Sequence, residues 1–134
     1  MKKIFLVILI LGIASLLKAQ QRQETTTDFI VFWKTFRKAL IKGDKTTIAD
    51  NTSYPLTFHG ERWPDIFNKE QMIASYKRLF NTRIIAYLKN QMPAKIKDEN
   101  MYFAICEHEK YYFKKLDNVW KLYRVEYDHI YYRL

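Results

Sequence analysis

In the stretch DFIVFWKTFRKALIKGD, residues 28 to 44, Phe29, Phe32, Trp33, Phe36 and Leu40 recur at steps of three and four. Lys34, Arg37, Lys38 and Lys42 take the other side. This is the period of an amphipathic helix, with Asp28 as its N-cap and Gly43 as its stop. The basic side reads first as a solvated face. Asp44 then caps a short second helix through Asp50, whose apolar contacts are Ile48 and Ala49. YPLTFHG, residues 54 to 60, alternates Tyr54, Leu56 and Phe58 against Pro55, Thr57 and His59. The alternation predicts a short strand, placed at a sheet edge because Pro55 cannot donate to a ladder.

In FNKEQMIASYKRLF, Asn68 is a predicted N-cap with Gln71 three residues later, and Phe67 and Met72 are spaced for a hydrophobic staple. A third helix follows, with Met72, Tyr76, Leu79 and Phe80 as its buried stripe. IIAYL, residues 84 to 88, fits either a further helical turn or a short strand, and Pro93 ends whichever forms.

From Met101 the period becomes two. MYFAICE, KYYFKKL and VWKLYRVEY predict three antiparallel strands, with turns at Glu107-His108 and Asp117-Asn118. A two-residue loop at Asp117-Asn118, or its four-residue equivalent, sets Lys115 opposite Trp120, Phe113 opposite Leu122 and Tyr111 opposite Arg124. Lys110, Tyr112, Lys114, Lys121, Tyr123 and Val125 then share the other face, because a one-residue slip would exchange the faces. On this register Tyr111, Arg124 and Glu126 face inward together. They then form a structural pair or a ligand grip, unless the strand emerges into solvent there, since buried charges need partners.

The N-terminus changes the charge count. MKKIFLVILILGIASLLKAQ has Lys2 and Lys3, an apolar run from Ile4 to Leu17 and a cleavage-like Leu17-Lys18-Ala19, the organisation of a secretory signal peptide. Fourteen residues, broken only by Gly12 and Ser15, cover about 21 Å at 1.5 Å each, short of a hydrocarbon core of about 30 Å, so cleavage near Ala19 or Gln20 is expected over a retained anchor. The whole chain has 23 Lys and Arg against 14 Asp and Glu; without residues 1–19, which hold three lysines and no acid, 20 face 14 and the net charge is +6 instead of +9. Residues 20–27, QQRQETTT, are polar and without periodicity and are expected to be a disordered lead-in to one domain over 28–134. The localisation that follows is export, to a periplasm or beyond.

Cys106 is the single cysteine, so no intramolecular disulfide forms; in an alternating strand it reads as a buried structural thiol. His59, His108 and His129 are too scattered to form a motif, and Asp128 and His129 point to opposite sides of a strand. No zinc, calcium, haem or phosphate-loop pattern and no serine elbow is present, so no metal and no cofactor is expected. Cations are interleaved with acids, no recognition helix appears, and export removes the chain from most nucleic acid, so nucleic-acid binding is not expected. The positive charge fits solubility and attraction to acidic envelope surfaces or glycans.

Helix, a short helix after Gly43-Asp44, strand, third helix, then long antiparallel strands ending in F-x-x-x-D-N-x-W-K-L (Phe113 to Leu122) is an order that resembles the nuclear transport factor two-like superfamily. Residues 28–44 and Tyr102 to Ala104 carry the rest of the likeness. The superfamily is a cone-shaped α+β fold that includes ketosteroid isomerases and polyketide cyclases. The resemblance implies three N-terminal helices packed in the concave face of a curved, mainly antiparallel sheet, a conical pocket, and an outer sheet face often used for dimerisation. It implies no single activity, because the fold hosts isomerases, dehydratases, carriers and interaction domains. The tyrosine-with-two-acids and aspartate–histidine sets of its enzymes do not map onto this sequence residue by residue.

Three functions follow as expectations. The first is non-enzymatic binding of a small apolar or amphipathic molecule, or of a protein partner, in a cone lined by Trp33, Tyr54, Phe58, Tyr76, Tyr102, Tyr111 and Arg124. The second is an isomerase- or dehydratase-type enzyme with His59 or Glu126 as base and Tyr111 as oxyanion donor. The third is a homodimer formed through Tyr112, Tyr123, Val125 and Tyr127.

Overall fold

The computed structural model describes residues 2–60, 63–97 and 99–128. His129 and Arg62 lie outside the described residues. The chain divides into two compact units, Met1–Trp33 and Lys34–Leu134.

The first helix, α1 (Lys2–Lys42), runs through both units. It includes residues 20–27, where a lead-in without structure was expected. No glycine or proline interrupts the chain between Gly12 and Gly43, so nothing in the backbone ends the helix once it has started. Within the first unit, residues 12–20 are exposed, Phe29 and Trp33 are buried, and the rings of Phe29 and Phe32 lie 5.8 Å apart.

The second unit opens with the C-terminus of α1. Gly43 has φ +68, a conformation that costs a side-chain-bearing residue about 1–2 kcal/mol. The amides of Gly43 and Asp44 close back onto the carbonyls of Leu40 (3.2 Å) and Ala39 (2.9 Å). α2 (Lys45–Asp50) follows, capped by Asp44, whose carboxylate accepts from the Thr47 amide and hydroxyl at 3.1 and 2.6 Å. Next come β1 (Thr52–His59) and α3 (Lys69–Leu79). Asn68 caps α3 by accepting from the Gln71 amide at 2.9 Å, and the Gln71 side chain accepts from the Phe67 amide at 2.8 Å. The staple is not formed as expected: Met72 is buried but Phe67 is 63% exposed. Residues 82–89 are helical as α4 (Thr82–Lys89), with Asn81 as N-cap accepting from the Ile84 amide at 3.0 Å, so the ambiguity over 84–88 resolves to a fourth helix.

β2 (Ala94–Lys95), β3 (Met101–Cys106), β4 (Glu109–Leu116) and β5 (Val119–Tyr127) complete a five-stranded sheet in the order β1-β5-β4-β3-β2. The fold class is α+β. β1 runs parallel to β5, and the remaining pairs are antiparallel. β1 takes the edge position that Pro55 required. The turn between β4 and β5 is the expected two-residue one, with Asp117 and Asn118 both at positive φ, as a twist-matched hairpin demands.

The helix-covered face of the sheet holds the core. Phe36 of α1 meets Phe113 of β4 edge-on at 5.3 Å and Phe80 at 6.3 Å; Phe80 in turn lies 5.7 Å from Tyr111 and 5.6 Å from Tyr76. Tyr102 meets Trp120 edge-on at 5.4 Å. Offset and edge-to-face pairs of this kind add about 0.5–1.5 kcal/mol each beyond area burial. On the open side of β3, the Gln91 carboxamide accepts from the Ile105 amide (3.2 Å) and donates to its carbonyl (3.0 Å), extending the pairing beyond the two residues of β2. A free strand edge is a template for another chain, and this side chain fills part of it.

Candidate functional site

The pairing of β4 with β5 follows the expected register from the turn as far as Phe113↔Leu122 and then shifts. Tyr112 pairs with Arg124, Tyr111 with Val125 and Lys110 with Glu126, leaving Tyr123 as an extra residue in β5. This is a β-bulge, in which two residues of one strand oppose one of the other and the face alternation resets. The expected pair Tyr111–Arg124 is therefore corrected: Arg124 and Glu126 lie on the outer face, away from the helices, and Val125 points into the core at 1% exposure. The cause is energetic. Continued alternation would have buried a guanidinium and a carboxylate and exposed a valine, whereas the bulge buries the valine at about 25 cal/mol per Å² and leaves both charges partly hydrated.

On the outer face these residues form a connected cluster. The Tyr112 hydroxyl donates to Glu126 Oε2 at 2.6 Å, and Arg124 Nη2 lies 3.2 Å from Glu126 Oε1. The guanidinium stacks on Tyr112, its Cζ 4.5 Å from the ring centroid, and lies 5.9 Å from Tyr123. Lys114 Nζ sits 4.9 Å from the Tyr123 centroid. Desolvation and the hydrogen bond to Glu126 both raise the Tyr112 pKa, which keeps the phenol protonated and donating. The Arg124 and Glu126 side chains are 25% and 32% exposed, so their attraction is partly screened; cation–π contacts add about 0.5–1 kcal/mol each at such sites. Arg124 Nε is buried without a hydrogen-bond partner.

The surroundings extend the pattern. Exposed His59 pairs in register with Glu126 across β1 and β5, and Phe103 of β3 lies 6.1 Å from Tyr112. The outward residues of β4 and β5 include Lys110, Lys114, Lys121 and Arg124 against a single acid, Glu126.

The other predicted lining residues fall elsewhere. Tyr111 is 1% exposed, and its hydroxyl shares its proton between the Leu79 carbonyl (3.2 Å) and Glu109 Oε2 (2.9 Å). Burial first, then the neighbouring Glu109, push its pKa well above the usual phenol value. Tyr76 is buried with its hydroxyl 3.5 Å from the Leu40 carbonyl. Tyr54 is half-buried, donates to the Ala49 carbonyl at 2.8 Å and is pushed up to about 12, chiefly by burial. Phe58 and Tyr102 are core residues, and Trp33 is buried within the first unit.

The catalytic set considered from the sequence is not assembled. Tyr111 faces the helices, whereas His59 and Glu126 stand on the opposite side of the same sheet, so a Tyr111 oxyanion donor and either base cannot act on one substrate. Both Glu126 oxygens are already engaged. The dimer strip is divided as well: Tyr112 and Tyr123 point outward, but Val125 and Tyr127 fall on the Tyr111 face. Cys106 is buried and its thiol is pushed up to about 12 by desolvation, which keeps it protonated and a poor nucleophile. Among the described residues no group of three or more His, Cys, Asp or Glu side chains could hold a metal ion.

One cluster had no local signal in the sequence. Arg83 of α4 bonds Glu107 and lies 3.9 Å from Glu109, and the Tyr87 hydroxyl donates to Glu107 at 3.0 Å. The partners are twenty or more residues apart, and only the docking of α4 beside β3 and β4 brings them together.

No protein-family model matches this sequence, and no curated protein matches it. Among solved structures it is similar to an NTF2-like protein of unknown function from Shewanella oneidensis, at 12% identity over 77% of this chain and 98% of that one, TM-score 0.44. It is similar also to an NTF2-like protein with a cystatin-like fold from Novosphingobium aromaticivorans, at 10% identity over 88% of each chain, TM-score 0.44. A domain of unknown function with a cystatin-like fold from Nostoc punctiforme matches at 12% identity over 77% of each chain, TM-score 0.46. These three solved structures are described as NTF2-like or as having a cystatin-like fold.

Proposed function

We propose that this chain is an exported, non-enzymatic binding domain that meets an acidic partner with the outer face of β3, β4 and β5. The observation that carries the reading is the outward cluster of four cations and one acid, in which Tyr112 and Glu126 hold Arg124 in place and Tyr123 underlies Lys114. Stacked and bonded cations lose less side-chain freedom on binding than free ones, which favours association. A small ligand held inside the core by oriented phenols is the weaker reading, because Tyr76, Tyr111 and Tyr54 direct their hydroxyls to carbonyls of this chain. An isologous homodimer through the same face would set like charges against like and is disfavoured on that ground.

The test is retention on an immobilised soluble polyanion near physiological salt. Wild type is expected to be retained and Lys110→Gln/Lys114→Gln to elute early, while Lys34→Gln/Lys38→Gln, equal in net charge but placed on α1, behaves as wild type. Equal elution of the two variants would reduce the effect to net charge and end the reading. Export rests on residues 1–19, and the mass of the chain recovered from the cell envelope tests it: loss of that segment is expected, and an intact Met1 counts against it.

A further inference from the structure

The outer face carries more than charge. Ile105 of β3 is 48% exposed and pairs across to Lys110; Val119 of β5 is 49% exposed and lies on the same side as Lys121. Phe103 and Tyr112 stack between these two aliphatic ends. Lys110 and Lys114 are four residues apart on β4, a span of about 14 Å at strand rise. Lys114 stands directly opposite Lys121 in the pairing, and the two amines part, Lys114 over the Tyr123 ring and Lys121 donating to the Asp50 carbonyl. Lysines with long apolar stems, tyrosines with polar tips and isolated exposed aliphatics on one face are the composition of a surface that sits at the boundary between headgroups and acyl chains.

Resting on the reading that this face is the contact surface, we propose that its partner is the anionic surface of a lipid bilayer, with Lys110, Lys114 and Arg124 on headgroup phosphates and Ile105 and Val119 at the acyl boundary. A glycan would satisfy the cations but offer nothing to the two aliphatic ends. A second copy of the chain would offer the aliphatics but repel the cations. Attraction to an anionic leaflet amounts to roughly a five-fold gain in affinity for each lysine near the surface, and salt weakens it.

The experiment is co-sedimentation of the full chain with vesicles of phosphatidylcholine alone or of an equal mixture with phosphatidylglycerol. The apolar segment 4–17 is common to every variant, so its own partitioning cancels in the comparison. Wild type is expected to prefer the anionic vesicles, and Lys110→Gln/Lys114→Gln to lose about 25-fold of that preference. The charge-preserving Lys110→Arg/Lys114→Arg is expected to keep it, and Ile105→Ser to weaken binding at unchanged charge. An unchanged far-UV spectrum and urea midpoint show that each variant is folded. Equal binding by wild type and the Gln variant overturns the proposal. So does retention on the soluble polyanion without preference for anionic vesicles, although the outer-face reading then survives; failure of both assays removes that reading as well.

Discussion

Tyr111→Phe isolates one hydroxyl in the middle of the core. The ring that packs 5.7 Å from Phe80 is kept, so no cavity opens. What is lost is the donor to the Leu79 carbonyl at 3.2 Å and to Glu109 Oε2 at 2.9 Å. A neutral hydrogen bond contributes about 1 kcal/mol net, and a buried acceptor left unpaired costs about 1–3 kcal/mol. The expected loss is therefore about 2 kcal/mol, on the order of a 10 °C fall in melting temperature for a domain of this size. Tyr112→Phe, one residue away on the outer face, removes a hydroxyl from a half-exposed Glu126 that water can replace, and should cost under about 1 kcal/mol. Urea unfolding followed by tryptophan fluorescence compares the two: the Tyr111 variant shifts its midpoint with an unchanged slope, and the Tyr112 variant barely moves. Equal midpoints, or a larger loss for Tyr112→Phe, would refute the assignment of faces on β4.

Alkaline pH should weaken the fold with a defined sign. Cys106 rises from 9.0 to about 12 and Tyr54 from 10.0 to about 12 on folding, while Tyr111 moves upward too. The unfolded chain therefore loses these protons first, and stability is complete below pH 9 and declines as pH rises toward 12. A flat stability curve over that window would contradict the burial of these groups, and Cys106→Ala should make the decline shallower. Gln91→Ala uncovers the Ile105 amide and carbonyl at the side of β3; faster hydrogen exchange at the Ile105 amide is expected, at a stability cost of about 1 kcal/mol or less. Unchanged exchange there would mean that the carboxamide does not hold the edge.

Local chemistry was legible where it determines local geometry. Asp117-Asn118 supplies two residues that, after glycine, most readily take positive φ, so the hairpin and its first pairs could be read directly. Asn68 and Asn81 cap helices because their side chains reach amides three residues on, although the second cap was masked by a helix and strand pattern that overlap over five residues. The bulge was harder to read. Its trace is the spacing of Trp120, Leu122 and Val125, two steps and then three, which a strict alternation overrides. That one inserted residue moves Arg124 and Glu126 to the other side of the sheet and with them the whole candidate site. The parallel docking of β1 on β5 and the Arg83–Glu107 bond depend on segments far apart in sequence, so no window of the chain contains them.

β5 resets its facing at Tyr123–Arg124, and thiol accessibility measures this directly. Cys106 is buried with a thiol near 12 and gives little background labelling. Single variants Arg124→Cys and Val125→Cys are exposed to a water-soluble thiol reagent under native conditions and again in denaturant. Rapid native labelling is expected at position 124, with protection at 125 until the chain unfolds. Protection at 124 with rapid labelling at 125 would restore unbroken alternation, return Arg124 and Glu126 to the core side and contradict the outer-face site.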